Sequence, residues 1–270
     1  MNRREFLKDS TLAVLFAAGG CRLPDCGGVA VNGIRIGVQM WSVNDLWKKN
    51  PSGAFRRLRA MGYEGVQSFG FYAMDWNELE KMLDGEGLRI VDMPFYMKTL
   101  QEGESKFLDF CARFGIDFAY EPWSKYETGA QWRDHAAELV RVAERFAVKG
   151  IRVGYHNHQH EIKERFDGKS PADYLAEANL AFELDVGHVK IAGGDPVAWI
   201  DRLRGRVPSI HAKPAGGASV GGVEDRNDWK AIFASAAAAG TKWAVVECET
   251  RRDTFDDVEK SLAYIRGLTV

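Results

Sequence analysis

The sequence predicts an α/β protein folded as a single (β/α)8 barrel, the TIM-barrel class. From residue 34 onward, a short apolar run followed by an amphipathic helix recurs eight times with no long polar linker between units. That alternation is the signature of a parallel sheet wrapped by helices. Polar residues with chemical potential end several of these runs, and no GxGxxG follows the first. An open doubly wound sheet would gather them at one switch point behind a glycine-rich turn. At 270 residues the chain could hold two domains, but barrels of this size are single units.

The units follow in order. The first run, residues 34–43, precedes a helix with Phe55, Leu58 and Met61 on one face. Gly65-Val66-Gln67-Ser68-Phe69 leads to a helix carrying Trp76, Leu79, Met82 and Leu83. Residues 88–93 form the third run, with Phe107, Cys111 and Phe114 on its helix. Phe118-Ala119-Tyr120-Glu121-Pro122-Trp123 is the fourth, and Leu139, Val142, Ala143, Phe146 and Ala147 then recur at helical spacing. The fifth, Gly150-Ile151-Arg152-Val153, enters Gly154-Tyr155-His156-Asn157-His158-Gln159-His160-Glu161, and Pro171 fits the first turn of the next helix. The sixth, Ala181-Phe182-Glu183-Leu184-Asp185, has its helix at 196–203. Residues 207–211 are the seventh, separated by a glycine-rich loop at 216–222 from a helix opened by Asp228-Trp229. Residues 243–247 are the eighth, and Phe255, Val258, Leu262 and Ile265 mark the last helix.

A hydrophobic share of 46% is enough for a full core. The formal net charge of −2, with no basic stripe, argues against a nucleic-acid partner. Cys21 and Cys26 lie near the N-terminus and Cys111 and Cys248 in the body, with no CxxC pair to suggest structural zinc.

Residues 1–30 read as an address and 31–270 as the barrel. Asn2-Arg3-Arg4-Glu5-Phe6-Leu7-Lys8 resembles the twin-arginine export signal. The apolar run at 11–18 is far below the ~20 residues that span a bilayer, so it reads as a signal core. Ala18-Gly19-Gly20-Cys21 is a lipobox-like site, and cleavage after Ala30 competes with it. The expected location is the bacterial cell envelope, periplasmic or tethered through a lipid on Cys21, with no other membrane contact. The oligomeric state is left open.

The fifth run carries three histidines and a carboxylate in eight residues, in a chain with six histidines. In a (β/α)8 barrel the site gathers at the C-terminal strand ends. The polar residues there are Gln67, Glu121, His156 with His158, Asp185 with His188, His211 with Lys213, and Glu247. Residues two apart on a strand share a face, which aligns His156 with His158. Mixed imidazole and carboxylate donors suit one divalent ion of manganese, zinc, cobalt or iron rather than calcium.

These residues resemble those of the sugar phosphate isomerase/epimerase family, whose barrel is xylose-isomerase-like. The likeness runs from Gly33 to the C-terminus through Gly37-Val38-Gln39-Met40-Trp41-Ser42-Val43, Gly62-Tyr63-Glu64-Gly65-Val66 and Tyr155-His156-Asn157-His158. It continues through Glu183-Leu184-Asp185-Val186-Gly187-His188, His211-Ala212-Lys213, Asp228-Trp229 and Val246-Glu247. The resemblance implies metal ligands His156, Asp185, His211 and Glu247, and places His188 and Lys213 near substrate oxygens. Asn157, His158, Trp41, Gln67 and Glu121 join them as candidate substrate contacts. Two positions depart from the family: His156 and Gln67 each stand where many members carry Glu. The first removes one of two opposed carboxylate bases, and Tyr-His-x-His resembles the inosose dehydratase branch.

Plainer readings stand beside these. His160 and Glu161 read as solvated loop, Glu183 as a buried structural carboxylate, and Glu249 as rim. His135, in the polar start of a helix, needs no function. Glu121 could pair with Lys213 or Arg152, or replace the missing base. Trp41, Phe71, Phe95, Tyr96 and Trp123 could wall a sugar face or simply pack.

The chemistry expected is metal-assisted removal of a proton next to a carbonyl by Glu247 or His188. Lys213 and the ion would stabilise the enediolate. Reprotonation gives an isomer or epimer; loss of a β-substituent gives dehydration or glycoside lysis. The glycine-rich loop lacks a basic cluster and Arg226 is isolated, so an unphosphorylated sugar or keto-sugar is expected. A non-catalytic carbohydrate-binding barrel is the alternative of another class. A DNA-repair endonuclease shares the barrel, but the export signal and charge argue against it.

Overall fold

The structure is a computed structural model that describes residues 28–68, 70–249 and 255–268. The expected export signal falls outside the described residues up to position 27. Ala30–Val31 forms a two-residue strand antiparallel to the first barrel strand.

The barrel strands are β1 (Ile34–Gln39), β2 (Gly65–Gln67), β3 (Arg89–Ile90 and Met93–Pro94), β4 (Phe118–Glu121), β5 (Arg152–His156), β6 (Ala181–Asp185), β7 (Ser209–Ala212) and β8 (Trp243–Val246). Each pairs in parallel with its neighbours, and β8 returns to β1. The sheet closes through β3, which is broken at Val91–Asp92. Its first half pairs with β2 and its second with β4. Val91 N–H still reaches Val66 O at 3.0 Å and Phe95 N–H reaches Tyr120 O at 2.8 Å, so the break costs little ladder bonding. The predicted single barrel is the observed architecture.

Strands are shorter than the apolar runs for local reasons. β1 stops at Gln39 because its side-chain oxygen accepts the Trp41 N–H at 3.0 Å, and Met40–Val43 turns as a 3-10 helix. β7 begins at Ser209, after Pro208, which has no N–H to give the ladder. Two short helices that the periodicity did not reveal, Gln159–Lys163 and Val186–Ile191, start directly after β5 and β6. They hold the chain tight to the mouth of the barrel.

Between sheet and helices lies one apolar layer that includes Phe55, Leu58, Leu139, Val142, Phe146 and Ile232. Strand parity sends the alternate residues inward. Val91, Trp243 and Val245 fill one part of the interior, and Phe118, Tyr120 and Ala181 another. Gly154 on β5 is needed for this packing. A Cβ there would sit 2.5 Å from the Ala181 carbonyl oxygen on β6 and 2.9 Å from the Phe118 ring.

Glu161 overturns its expected place in a solvated loop: it is fully buried. Its carboxylate accepts the Tyr155 hydroxyl at 2.7 Å and the His158 N–H at 2.8 Å, and lies 3.1 Å from His160 Nε2. It clamps the turn from β5 into the next helix as the acceptor of a capping box. Burial opposes its ionisation, but His160 and the Tyr155 hydroxyl outweigh that and hold its pKa below the ordinary 4.5.

Two stability predictions follow from this packing. Gly154→Ala should destabilise by about 1–3 kcal/mol, the usual cost of overpacking, and show as a lowered thermal midpoint. Glu161→Gln should cost about 1–3 kcal/mol at neutral pH by leaving a buried donor facing a donor. The Glu161 contribution is present above the ordinary glutamate pKa and is lost as pH falls through the lower folded value. The variant's deficit should therefore shrink in acid, which urea melts at several pH values would read.

Candidate metal and sugar site

Asp185, His211 and Glu247 meet at the ends of β6, β7 and β8, each buried. His211 Nδ1 lies 3.7 Å from Asp185 Oδ2 and 3.3 Å from Glu247 Oε2. On its other edge His211 Nε2 lies 2.7 Å from Gln67 Oε1. That oxygen is an acceptor, because the Gln67 amide nitrogen donates to Asp92 at 2.9 Å and to Glu183. His211 Nε2 therefore donates to Gln67, which turns Nδ1 toward the two carboxylates.

Asp185 divides its work. Oδ1 accepts the His188 N–H at 2.7 Å and caps the Val186–Ile191 helix, while Oδ2 has no hydrogen-bond partner. Its backbone N–H and carbonyl are clamped by the Asn157 amide at 3.0 and 3.3 Å. Asn157, expected to touch substrate, is fully buried and spends both amide atoms on this clamp.

His156, expected as the fourth ligand, forms a second group with Glu183 and His211, and so shares His211 with the triad. Its Nδ1 is 3.1 Å from Glu183 Oε2, and its ring centroid is 4.5 Å from that of His211. His158 packs at 4.8 Å from His156 and 4.9 Å from His188, so three imidazoles line one side. Opposite them Lys213 Nζ bonds Glu247 at 3.1 Å and Glu249 at 2.5 Å.

The charges divide in the same way. Burial opposes ionisation of Glu247 and Asp185. Lys213 and His211 hold Glu247 well below its usual range; His188, His211 and Lys213 hold Asp185 low. Burial works against a charged His211 and Lys213 too, but the surrounding carboxylates outweigh it and raise both. His158 is pushed down to about 3 by burial and by His156 and His188, and burial lowers His188. Beneath the site, burial and then the charge on Glu183 raise Asp92 well above the aspartate range. Asp92 is thus the protonated member of the pair.

The donor set fits a divalent ion. Asp185 Oδ2 and Nδ1 of His158 and His188 are buried without a hydrogen-bond partner, while among the described residues His156 Nδ1 and Glu183 Oε2 have only each other and His211 within 3.3 Å. Buried polar atoms are ordinarily paired, so such a concentration at one barrel mouth marks a place for a ligand.

A cavity of about 520 Å³ opens over this cluster, lined by Gln39, Trp41, Tyr120, His156, His158 and Glu247 among others. Trp41 and His158 thus stand at the cavity. Gln67 does not. It is fully buried beneath His211, and a Glu there would add a third carboxyl beside Asp92 and Glu183. Glu121 also departs from the expected substrate contact: Tyr120 faces in, Glu121 faces out, and its Oε2 lies 2.6 Å from His135 Nε2. Neither Lys213 nor Arg152 pairs with it among the described contacts. Sequence reading missed Gln39, Asp92 and Ser209, whose hydroxyl is 3.2 Å from Asp92 and 3.3 Å from Glu183. A lone acid in the apolar third run was the available signal for Asp92.

The chain is similar to several known proteins. The chain is 26% identical over 182 residues to the rhizopine catabolism protein MocC of Rhizobium meliloti, covering 59% of this chain and 56% of that protein. It is 24% identical over 194 residues to an inosose dehydratase of Clostridium beijerinckii, covering 63% and 65%. The chain thus spans less than two thirds of the length of these relatives. Among solved structures, a sugar phosphate isomerase/epimerase of Parabacteroides distasonis superposes with a TM-score of 0.76 at 23% identity, covering 90% of this chain and 98% of that one. The 3-keto-D-glucoside 4-epimerase of E. coli superposes at 0.65 and 18% identity, covering 86% and 99%. The family described as xylose isomerase-like TIM barrel matches residues 55–268, and the chain belongs to that family.

Proposed function

We propose that the protein is a divalent-metal-dependent isomerase or epimerase that removes a proton next to the carbonyl of an unphosphorylated sugar or keto-sugar. The observation that carries this reading is the convergence of Asp185, His211 and Glu247 under the cavity, with Lys213 bonded to Glu247. Asp185, His211 and Glu247 would hold the ion, with His156 as the fourth donor. When bound, such an ion supplies Lewis acidity toward a carbonyl and its neighbouring hydroxyl. Glu247 is ionised and lines the cavity, so it can accept a proton. Lys213 stays an ammonium and can stabilise the oxygen on which charge develops. His188 and His158, kept neutral, can orient hydroxyls and pass a proton on the opposite side.

A second reading, keto-sugar dehydratase or keto-glycoside lyase, is favoured by one observation. An imidazole, His156, occupies the position of the second base that a symmetric epimerisation uses, and Glu249 lies only at the rim. The inosose dehydratases among the relatives point the same way.

An unphosphorylated substrate is supported by the lining. Among the described residues no Arg faces the cavity, and Lys213 is committed to Glu247 and Glu249. We also propose export by the twin-arginine route to the envelope. Val29 N–H bonds Gly62 O at 3.3 Å and Val29 O accepts Ile36 N–H at 3.2 Å, which favours processing upstream, near Cys21, over cleavage after Ala30. No helix among the described residues is long and apolar enough to cross a membrane.

Purified mature protein should bind one equivalent of divalent metal by elemental analysis, and His211→Ala should abolish it. In deuterium oxide, keto-sugars should exchange a carbon-bound proton, visible by NMR. Glu247→Gln should slow this by about 10²–10⁴-fold, the usual worth of a positioned base. No stoichiometric metal, with sugar binding unchanged in His211→Ala, would leave a non-catalytic carbohydrate-binding barrel instead. Release of a leaving group would select the elimination reading, and exchange without release would select isomerisation.

A further inference from the structure

We infer that the substrate is a keto-glycoside with a planar apolar aglycone: the keto-sugar over Asp185, His211 and Glu247, the aglycone in an adjoining cavity. This rests on the sugar-site reading above and extends it to the rest of the substrate. The adjoining cavity has a volume of about 340 Å³. It lies between the chain after β2, the end of β3 and the front half of the Met97–Arg113 helix. Ser68, Gly70, Pro94 and Tyr96 line both cavities, so the two are continuous.

Their chemistry differs sharply. The sugar cavity presents imidazoles and carboxylates. The second is walled by Tyr72, Met93, Phe95, Leu100 and Phe107, and no charged side chain lines it among the described residues. Its one further polar side chain, Thr99, already donates its hydroxyl to Tyr96 O at 3.0 Å. Sugar hydroxyls pushed against that wall would lose water without gaining partners. An apolar group joined to the sugar would gain from the same burial. Four aromatic rings, Tyr72, Phe95, Tyr96 and Phe107, give edges and faces suited to a flat ring. Tyr96 and Trp123, 55% and 47% exposed, flank the entrance, where aromatics have no packing reason to stand.

Gly103 adds an independent observation. It lines the second cavity and interrupts the helix with φ −142° and ψ 24°. A Cβ built on it meets nothing within 4 Å. The helix therefore gives up a good helix former at the point where a side chain would enter this space.

Metal-loaded mature protein should be titrated calorimetrically with phenyl and methyl D-glucosides, both anomers of each. The phenyl compounds should bind about tenfold tighter or more, as expected for a buried ring. Gly103→Leu places a side chain toward the second cavity at a position where a Cβ meets nothing within 4 Å and φ is negative, so it should fold. It should bring the phenyl-to-methyl ratio near one and leave methyl glucoside binding unchanged. Tyr96→Ala, at an exposed position, should reduce the ratio in the same direction. Equal affinity for phenyl and methyl glucosides in the wild type, or a preference untouched by Gly103→Leu, overturns the inference. Proton exchange on free keto-sugars without any phenyl preference overturns it while sparing the sugar-site reading. A Gly103-dependent phenyl preference without metal or exchange supports the aglycone cavity and defeats the sugar-site reading instead.

Discussion

The Gln67 side-chain amide joins the buried acid pair to His211. Its nitrogen donates to Asp92 and Glu183, and its oxygen accepts from His211 and, at 2.5 Å, from Gln39. An amide is the one neutral side chain that can meet two carboxyls with donors and an imidazole with an acceptor at once. Because the carboxyls fix which end is nitrogen, His211 must donate from Nε2, and its Nδ1 is turned toward Asp185 and Glu247. Three strands distant in sequence are thereby locked to one rotamer, and the barrel mouth inherits its geometry from a residue that no substrate would touch.

The acidic pair beneath shows how this interior tolerates so much charge. Asp92 and Glu183 cannot both ionise at close range in a buried setting. Glu183 keeps the charge because His156 and His211 face it; Asp92, at the break in β3, takes the proton. The break frees Asp92 from the regular ladder and lets one strand finish two pairings. Topological closure and electrostatic relief coincide at the same two residues. Above them, Lys213 and His211 balance Glu247 and Asp185, so the carboxylates are kept ionised.

Much of this was legible in the sequence. The eight alternations and the polar strand ends depend on local periodicity and parity, which a single chain displays. Asp185, His211, Lys213 and Glu247 follow from that parity, and they do converge. What failed to show was anything decided across the barrel. Glu121 and Tyr120 are adjacent in sequence, and only the true register tells which one faces inward. Asn157 was expected at the substrate and Glu161 in a solvated loop, yet each is buried because a following short helix and the neighbouring strand bring backbone groups to them. Gln67 read as a missing charge; in place it is an acceptor and a donor that a carboxylate could not be.

The same cross-barrel constraint bears on the chemistry. His156 lies against Glu183 and His211, and a carboxylate in its place would lie against Glu183 with no cation of its own. The imidazole is thus compatible with the acidic floor in a way that a second glutamate is not, once Asp92 and Glu183 are both present. A site built this way places the ionised Glu247 carboxylate on the β8 side, with His158 and His188, both with pKa lowered by burial, after β5 and β6. In the reaction proposed above, proton removal from one face and departure or reprotonation toward the other would be unequal steps. That asymmetry is suited to a substrate whose two sides also differ, one polar and one apolar.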